Sequence, residues 1–298
     1  MSRIVHALLT ALVLGLAHPV MAAPITSNTA LPVAKGGFIV REQLLRRSFE
    51  DDAGPANRDL EVNGLLSIVG YGVAPRLAVF AALPYLDKTL KVTINGQRTN
   101  RSSEGFGDLK LFGRYTLLQR DAKSQTFRLG VFGGVKVPTG DDDKKDRFGR
   151  LPIPLQTGTG AWDSFAGIVA TYQTSDFQID AQLSAERNGE ANDFEAGNEI
   201  RADLSVQYRF LPNTLNADTQ SFLYGVLEVT AFNQRKHRIA GMSDPNSGGT
   251  TVYLTPGIQY VTRKYILEAA LQLPVQQNLH GTALKTDYVF TAGFRVNF

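Results

Sequence analysis

The sequence of 298 residues contains no cysteine. Disulfide bonds, thiolate metal ligands and cysteine nucleophiles are therefore excluded. Histidine is also scarce, with four in the whole chain. The fold must be held by burial of side chains or by a membrane, and the sequence offers few nucleophiles or metal ligands.

A surplus of charge of one sign is missing as well. The chain carries 31 Lys and Arg against 28 Asp and Glu, a net charge of +3, and the two signs are interleaved along it. The sequence has no basic patch and no stripe of alternating basic and aromatic residues. We therefore do not expect nucleic acid as a partner.

Long apolar runs are also missing, since no segment after the first 22 residues approaches the roughly 18 apolar residues of a membrane-spanning helix. The start has a basic region with Arg3 and His6, an apolar core of about 11 residues over 7–17, and small residues before Ala23. That core is too short for a single-pass anchor. We expect a cleaved signal peptide over 1–22, a short N-terminal segment over 23–36 and one β-barrel over 37–298.

What the sequence does contain is strict alternation of apolar and polar residues. In DYVFTAGFRVNF, which ends the chain, every second residue counted back from Phe298 is apolar. EIRADLSVQYRF alternates in the same way from Ile200 to Phe210. A period of two places the apolar set on one face of a β-strand and the polar set on the other.

About twelve such runs follow one another, each near the length that a tilted strand needs to cross a bilayer. They lie near 37–49, 58–73, 77–91, 107–120, 126–138, 161–174, 176–188, 199–211, 221–234, 250–263, 265–277 and 286–298. The first, third and ninth are the least regular. Short turns on the side of both termini alternate with long polar loops on the other side, which is the layout of a transmembrane antiparallel up-and-down β-barrel.

Aromatic residues cluster around the short turns, where a membrane interface would lie. They are Tyr71, Tyr172, Tyr208, Phe210 and Tyr260 before the turns, Phe127, Phe177, Phe222 and Tyr265 after them, and Phe298 at the end of the chain. A soluble periplasmic β-sandwich is the competing fold, but its strands are usually shorter, at about five or six residues, and it needs no such girdle. The sequence favours the membrane barrel.

Four segments carry a family resemblance: GFGDLKLFGRY (105–115), GVKVPTG (134–140), LQTGTGAWD (155–163) and TAGFRVNF. With them the chain resembles the outer-membrane family described as putative MetA-pathway of phenol degradation. The family loop tends to read PGTG, whereas Thr157 stands here in the Pro position. The resemblance implies a channel or carrier for aromatic or other small hydrophobic compounds. It also implies that Phe298 is the signal read by the barrel-assembly machinery.

A hydrolase must be considered, because twelve-stranded outer-membrane barrels include a phospholipase. A nucleophile needs a base within hydrogen-bond reach and a group that orients the base. Only His237 and His280 remain beyond His18, and neither has a Ser two residues away. We therefore expect no enzyme activity and no catalytic residues.

The loop TGDDDKKDRFG offers hard oxygen ligands from Asp141, Asp142, Asp143 and Asp146. Its spacing is not that of an EF-hand, and Lys144 and Lys145 would repel a cation. A solvated acidic loop, or one bridged to lipopolysaccharide by divalent ions, is the better interpretation. The glycines at 105–107 and 158–160 do not complete a nucleotide-binding loop. We expect no metal site and no cofactor.

The polar faces of the strands predict a charged lumen. The candidate lumen and transport residues are Asp108, Lys110, Phe112, Arg114, Arg128, Phe132, Lys136, Asp163, Phe165, Asp180, Arg201, Asp203 and Arg209. Twelve strands give a backbone radius of roughly 12 Å, much of it filled by long side chains. This favours a narrow path or a nearly filled barrel over a wide porin.

Among these candidates, Phe112, Phe132 and Phe165 would point inward on three consecutive strands, next to Gly130, Gly134 and Gly167. If the alternation is unbroken, the three rings form an aromatic patch with open space over the glycines, suited to a flat apolar molecule. A single bulge would turn every later side chain to the other face. Ordinary packing under a loop is the alternative.

The sequence thus predicts a passive channel in the outer membrane of a Gram-negative bacterium, for small hydrophobic or aromatic cargo. Outer-membrane lipids, lipopolysaccharide and the barrel-assembly machinery are the expected partners. The alternative is a closed structural or surface-interaction barrel that acts through its extracellular loops.

Overall fold

A computed structural model of the chain describes residues 22–50, 52–215 and 219–298. The predicted signal peptide therefore lies almost wholly outside the described residues. No helix among those residues is both long enough and apolar enough to cross a membrane.

The described chain is almost entirely β-strand. In chain order the strands are β1 (Phe38–Phe49), β2 (Asp59–Ala74), β3 (Leu77–Ile94), β4 (Gln97–Phe106), β5 (Leu109–Ala122), β6 (Gln125–Val137), β7 (Lys145–Asp146), β8 (Gly149–Arg150), β9 (Asp163–Thr174), β10 (Phe177–Arg187), β11 (Glu190–Ala191), β12 (Phe194–Glu195), β13 (Glu199–Leu211), β14 (Ser221–Gln234), β15 (Arg238–Ile239), β16 (Met242–Ser243), β17 (Gly249–Thr262), β18 (Tyr265–Leu279) and β19 (Tyr288–Asn297). One 3-10 turn spans Ile153–Leu155.

Twelve long strands close into an antiparallel barrel. The ring runs β1, β2, β3, β5, β6, β9, β10, β13, β14, β17, β18 and β19, and the last strand pairs with the first. Phe298 completes the closure, because its N–H donates to Phe38 O over 2.8 Å and Phe38 N–H donates to Phe298 O over 3.0 Å. The predicted barrel and its strand positions are confirmed.

The structure adds strands inside the predicted loops. Residues 97–106 were expected to belong to a long polar loop, but they form β4, which pairs with the upper part of β3 from Tyr85 to Ile94. The lower part of β3 pairs instead with β5. Hydrogen bonding between neighbouring backbones, rather than side-chain pattern, stabilises this polar strand.

The two ends of the barrel differ, as the spacing of the loops predicts. At the short-turn end, rings meet in pairs, with centroids 4.7 Å apart for Phe38 and Tyr71 and 5.9 Å apart for Tyr172 and Phe177. At the long-loop end, the small strands β11, β12, β15 and β16 form a four-stranded sheet, and β7 and β8 form a hairpin.

Burial alternates along the strands in the predicted sense. On β13, Leu204 is 48% exposed and the next residue, Ser205, is 0% exposed. The exposed side chains are apolar and the buried ones are largely polar, with Asp203, Ser205, Gln207 and Glu228 among them. This inversion of a soluble core is what a membrane barrel requires, because lipid contacts its outer face.

Candidate functional site

The lumen is the candidate site, and the predicted lumen residues lie on its inward face. Most of them are buried: Asp108, Arg114, Arg128, Phe132, Lys136, Asp163, Asp180, Asp203 and Arg209. Lys110, Phe112, Phe165 and Arg201 are half-buried. They do not form one site, however, but separate clusters at different heights.

The first cluster lies near the long-loop end. Lys136 pairs with Asp163 and lies 3.4 Å from Asp108, while its Nζ donates to Thr159 Oγ1 over 2.6 Å. Lys110 forms a separate pair with Glu186 at 2.9 Å. Asp108 also accepts from the backbone N–H groups of Gly140 and Thr159. Asp108 therefore holds the turn at residues 158–160 in place, and the three carboxylates neutralise the two lysines.

The second cluster lies at mid-height. Arg201 pairs with Asp203 at 2.8 Å, and Asp203 also accepts hydrogen bonds from Gln182 and Thr230. Asp180 accepts from Thr171 and from Gln178. Buried carboxylates at this density are tolerated because each has several donors.

Arg128 and Arg209 belong to neither cluster. Arg128 pairs with Asp121, and Arg209 pairs with Asp176, both next to tight turns at the short-turn end. Arg209 also donates to the carbonyl of Ser175 over 3.2 Å. These contacts stabilise turns, so neither arginine lines the central part of the lumen.

The N-terminal segment, residues 22–35, crosses the lower lumen. Ala22, Ala23, Ile25, Ala30 and Val33 are each no more than 5% exposed. It packs against both sides of the barrel: Ala22 against Val261 and Ile266, and Ala30 against Phe132 and Val169. A segment of this kind fills the space that would otherwise connect the two ends of the barrel.

The lumen wall holds the segment chiefly through its backbone. Glu228 accepts from the N–H groups of Ile25 at 2.9 Å and Thr26 at 3.0 Å. Three arginines donate to segment carbonyls, namely Arg41 to Ile25 at 2.8 Å, Arg201 to Thr26 at 2.8 Å and Arg114 to Leu31 at 2.7 Å.

Uncharged wall side chains add further hydrogen bonds. Gln182 accepts from Asn28, Thr171 accepts from the N–H of Ala30, and Gln259 donates to the carbonyl of Ala23. The polar side chains predicted to line the lumen therefore serve in part to hydrogen-bond the backbone of the N-terminal segment.

Aromatic rings line one wall of the lumen above this segment. Phe80 stacks on Phe112 with centroids 4.8 Å apart and planes 12° apart, and Phe112 meets Phe165 edge-on at 5.9 Å. Cations cover both ends of this aromatic ladder, Phe80–Phe112–Phe165. Arg114 lies 5.0 Å from the Phe80 ring and Lys110 lies 5.2 Å from the Phe165 ring.

The prediction of open space over the glycines is wrong. A Cβ on Gly134 would lie 2.5 Å from Phe112 Cβ, and one on Gly167 would lie 2.5 Å from Phe132 Cζ. At Gly130, Ala30 of the N-terminal segment lies within 3.8 Å. The glycines admit rings and the segment at close range, so they are packing positions and leave no vacant slot.

Space remains at the long-loop end. An open groove of about 430 Å³ lies on the outer face of the barrel there, because its lining residues Ala166, Ala185 and Ile200 point outward. A cavity of about 230 Å³ lies inside the barrel and is bordered by Lys110, Lys136, Glu186, Glu199 and Phe194. The ladder approaches this inner cavity through Lys110, which lies over the Phe165 ring and lines the cavity.

Two features of the site were not predicted. Phe80 joins the ladder, although its strand was among the least regular in sequence, and alternation along β3 would have placed it inward. The seat of the N-terminal segment had no periodic signal, because its contacts are made by backbone groups. Inward parity predicts Glu228 as a lumen residue, and it would have marked Arg41 in the same way.

A hydrolytic site is not assembled among the described residues. The imidazole Nδ1 of His237 accepts from the N–H of Gly197 over 2.9 Å, and its ring meets Phe194. No described Ser or carboxylate donates to or accepts from the imidazole of His280 by a hydrogen bond. The nucleophile, base and orienting group that acyl transfer needs do not meet there.

The acidic loop after β6 is occupied by its own basic neighbours. Asp141 pairs with Lys144 at 3.3 Å, Asp143 with Lys145 at 3.4 Å, and Asp146 with Arg101 at 2.8 Å. The hydrogen bonds from Arg101 hold the pKa of Asp146 below its ordinary value. Within the described ranges, no group of three or more His, Asp or Glu is placed to hold a metal ion.

The chain matches one family model and is similar in structure to many outer-membrane barrels. The family model described as "Putative MetA-pathway of phenol degradation" matches residues 52–283. Among solved structures, an outer membrane channel from Pseudomonas putida F1 is 15% identical, with a TM-score of 0.68, over 93% of this chain and 100% of that chain.

More distant barrels are also similar. The beta domain of the Bordetella autotransporter Brka is 14% identical, with a TM-score of 0.46, over 89% of this chain and 100% of that one. The transport unit of the autotransporter AIDA-I from Escherichia coli is 9% identical, with a TM-score of 0.46, over 89% and 91%. No curated protein matches the chain.

Proposed function

The chain belongs to the outer-membrane family described as "Putative MetA-pathway of phenol degradation", and from that premise we propose a passive channel for small hydrophobic and aromatic molecules. It lies in the outer membrane of a Gram-negative bacterium. The short-turn end then faces the periplasm and the long-loop end faces the outside. Transport would follow the gradient of the cargo.

The observation that carries the proposal is the aromatic ladder Phe80–Phe112–Phe165, whose Phe165 end lies under Lys110 beside the inner cavity. Its stacked rings offer flat apolar surface inside a barrel whose lining is otherwise polar. A flat cargo can pack against Phe165, where ring contacts add about 0.5–1.5 kcal/mol each to the burial of apolar area. The cations at the two ends of the ladder add to this preference, because a cation is attracted electrostatically to the face of an aromatic ring.

The N-terminal segment is the resting closure of this channel. Its contacts with the lumen wall are hydrogen bonds and packing only, so cargo can pass when those hydrogen bonds are exchanged for water. Each such bond contributes only about 0.5–1.5 kcal/mol net. Displacement of part of the segment is therefore feasible while the barrel itself stays folded.

A closed barrel acting through its loops is the second candidate function. The four-stranded sheet of β11, β12, β15 and β16 favours it, because this sheet orders two long loops on the extracellular side. We further propose lipopolysaccharide as the contact of these loops and the barrel-assembly machinery as the partner that inserts the chain. Catalysis has no place in either function.

Planar bilayers and liposomes separate the two candidates. We would compare the wild type with a variant lacking residues 24–33, which keeps the signal peptide and Ala23. A channel should pass phenol faster than a sugar into liposomes, and the deletion should raise its conductance. If neither protein conducts ions or passes either solute, the closed barrel is the correct function.

The processing of the chain is a further part of the proposal. Residues 1–22 would be removed on export, which makes Ala23 the first residue of the segment within the lumen. Amino-terminal sequencing of the protein from outer membranes tests this cleavage. A mature chain that begins beyond Lys35 would contradict both the cleavage site and the closure.

A further inference from the structure

A polar pair faces lipid on the outer wall of the barrel. On β1, Arg41 and Gln43 reach into the lumen, where both donate to Glu268. Glu42 lies between them and therefore points outward. On β2, Ser67 lies between the exposed Leu65 and Val69. Ser67 Oγ donates to Glu42 Oε2 over 2.7 Å.

This pair lies at mid-height of the membrane belt. Below it, the Phe38–Tyr71 ring pair marks the periplasmic interface. Above it, Arg46 and Glu61 form an exposed ion pair at 3.2 Å. Glu42 is four residues from both Phe38 and Arg46, roughly 10 Å along a tilted strand in either direction. The carboxylate is thus far from either headgroup region.

The rest of the belt is apolar. Of the described residues, those that face lipid at mid-height on the other strands are aliphatic, aromatic, glycine or, at Pro256, proline. Examples are Leu111, Val131, Ile168, Leu183, Leu204, Leu227, Ile258, Leu271 and Phe290. The polar seam is confined to β1 and β2 and is defined as Glu42 and Arg46 on β1 with Glu61, Asn63 and Ser67 on β2.

A carboxylate in contact with hydrocarbon is unfavourable unless a partner covers it, and such residues mark functional surfaces. The single bond from Ser67 leaves most acceptor positions of Glu42 unused. Polar side chains on a membrane-facing surface commonly pair with those of a neighbouring protein surface. The seam is therefore stabilised if a polar group of another molecule contacts it at the depth of the bilayer centre.

We propose that the occupant is a second copy of this chain, packed side by side about a two-fold axis along the membrane normal. The axis would run between β1 and β2. The β1 column, with Glu42 and Arg46, then faces the β2 column of the other copy, with Ser67 and Glu61. Glu42 then meets Ser67 at the same register level, and Arg46 meets Asn63 at its own level, with Glu61 two residues further along β2. The seam is self-complementary, as an isologous interface requires.

The side-chain order along the seam supports a protein occupant over a lipid. The β1 column and the β2 column carry different donors and acceptors at two heights in the membrane. The headgroup of a single lipid cannot bind both levels at once. Between them, Leu44 is 61% exposed and Leu65 is 39% exposed, which supplies apolar area for the same contact. The arrangement is independent of transport and goes beyond the proposed channel function.

The absence of cysteine allows a clean cross-linking test. Leu44→Cys places one thiol in the seam, and Leu183→Cys is the matched control, because it is also exposed on lipid but lies six strands away around the ring. Both would be treated with a bismaleimide in native outer membranes. We expect a covalent dimer for Leu44→Cys and at least fivefold less for Leu183→Cys.

Removal of the polar pair tests its role. Leu44→Cys combined with Glu42→Leu should give roughly fivefold less dimer, in line with a loss of about 1 kcal/mol. Heat-modifiable migration on gels would show that each barrel is folded. Equal cross-linking of the two single-cysteine variants overturns the proposal. So does a Leu44→Cys protein that stays monomeric, or that attaches to a lipid or another protein instead.

Discussion

The backbone N–H of Ile25 donates a hydrogen bond to Glu228 Oε1 over 2.9 Å, across 203 residues of sequence. The second oxygen of the same carboxylate accepts from Thr26 N at 3.0 Å. Glu228 is only 1% exposed, so both bonds lie away from bulk water. One side chain on β14 thus fixes the turn of the N-terminal segment at the centre of the lumen.

Glu228→Ala should loosen this segment. It leaves the N–H groups of Ile25 and Thr26 without their acceptor, at a cost of about 1–3 kcal/mol. Because 1.4 kcal/mol is tenfold in population, roughly tenfold more open channel is expected in single-channel recordings. Leu227→Ala, on the lipid face next to it, is the control. An unchanged open fraction in Glu228→Ala would show that the segment does not depend on this contact.

Phe165→Leu and Phe132→Ala should have different effects. Phe165 lies under Lys110 at the edge of the inner cavity, so its loss should lower the flux of phenol relative to a sugar and leave the melting temperature nearly unchanged. Phe132 is 7% exposed and packs against Ala30 and Val169. Its truncation should cost about 3–5 kcal/mol and raise ion leakage. If both variants alter only stability, the ladder has no role in selecting cargo.

Leu204→Arg should lower the stability of the barrel by about 2–4 kcal/mol, because it places a charge on the lipid face. Ser205→Arg, although directed at the lumen, should also be harmful, since Ser205 is 0% exposed and donates to Glu228. Leu204→Met is the neutral control in urea unfolding from detergent micelles. A Leu204→Arg protein as stable as this control would contradict the assigned face.

Deletion of Phe298 should reduce the level of folded protein in the outer membrane several-fold without affecting export. Its backbone makes the last two hydrogen bonds between the ends of the barrel. Fractionated membranes and periplasm would be probed for the protein. Phe290→Ala, also on β19, keeps the chain end intact and should insert normally. Normal insertion of the deletion variant would count against the terminal residue as assembly signal.

The contact between two extracellular loops should weaken in mild acid. Burial lowers the pKa of His237 below its ordinary value, and its Nδ1 accepts from the N–H of Gly197. The opened loop binds a proton more readily than the closed one. The stabilisation is therefore complete above pH about 6.5, the ordinary value, and is lost as the pH falls below it.

Amide exchange at Gly197 measures this effect. After correction for intrinsic rates, exchange should accelerate between about pH 6.5 and 5 in the wild type. His237→Gln cannot take up a proton and should show no such acceleration. The same pH dependence in both proteins would assign the effect to other groups in the loops.

The regularity of the alternation explains why so much of the fold was predictable. β13 and β14 begin and end where the pattern places them, because lipid on one side and polar lumen on the other impose a period of two on every residue. β4 was missed, since QRTNRSSEGF is polar on both faces. A strand beyond the membrane belt meets water on both faces, so its sequence does not alternate between apolar and polar residues.

The sequence by itself determined the class of fold, the direction of each side chain on the regular strands, and the apolar outer belt. Only the tertiary structure decided what the lumen contains. The segment 22–35 has no periodicity, and its backbone groups are recognised by Glu228, Arg201 and Arg114 from distant strands. Backbone hydrogen bonds are available to any sequence, so the residues of the segment do not encode its place. That place exists only once twelve strands have closed around it.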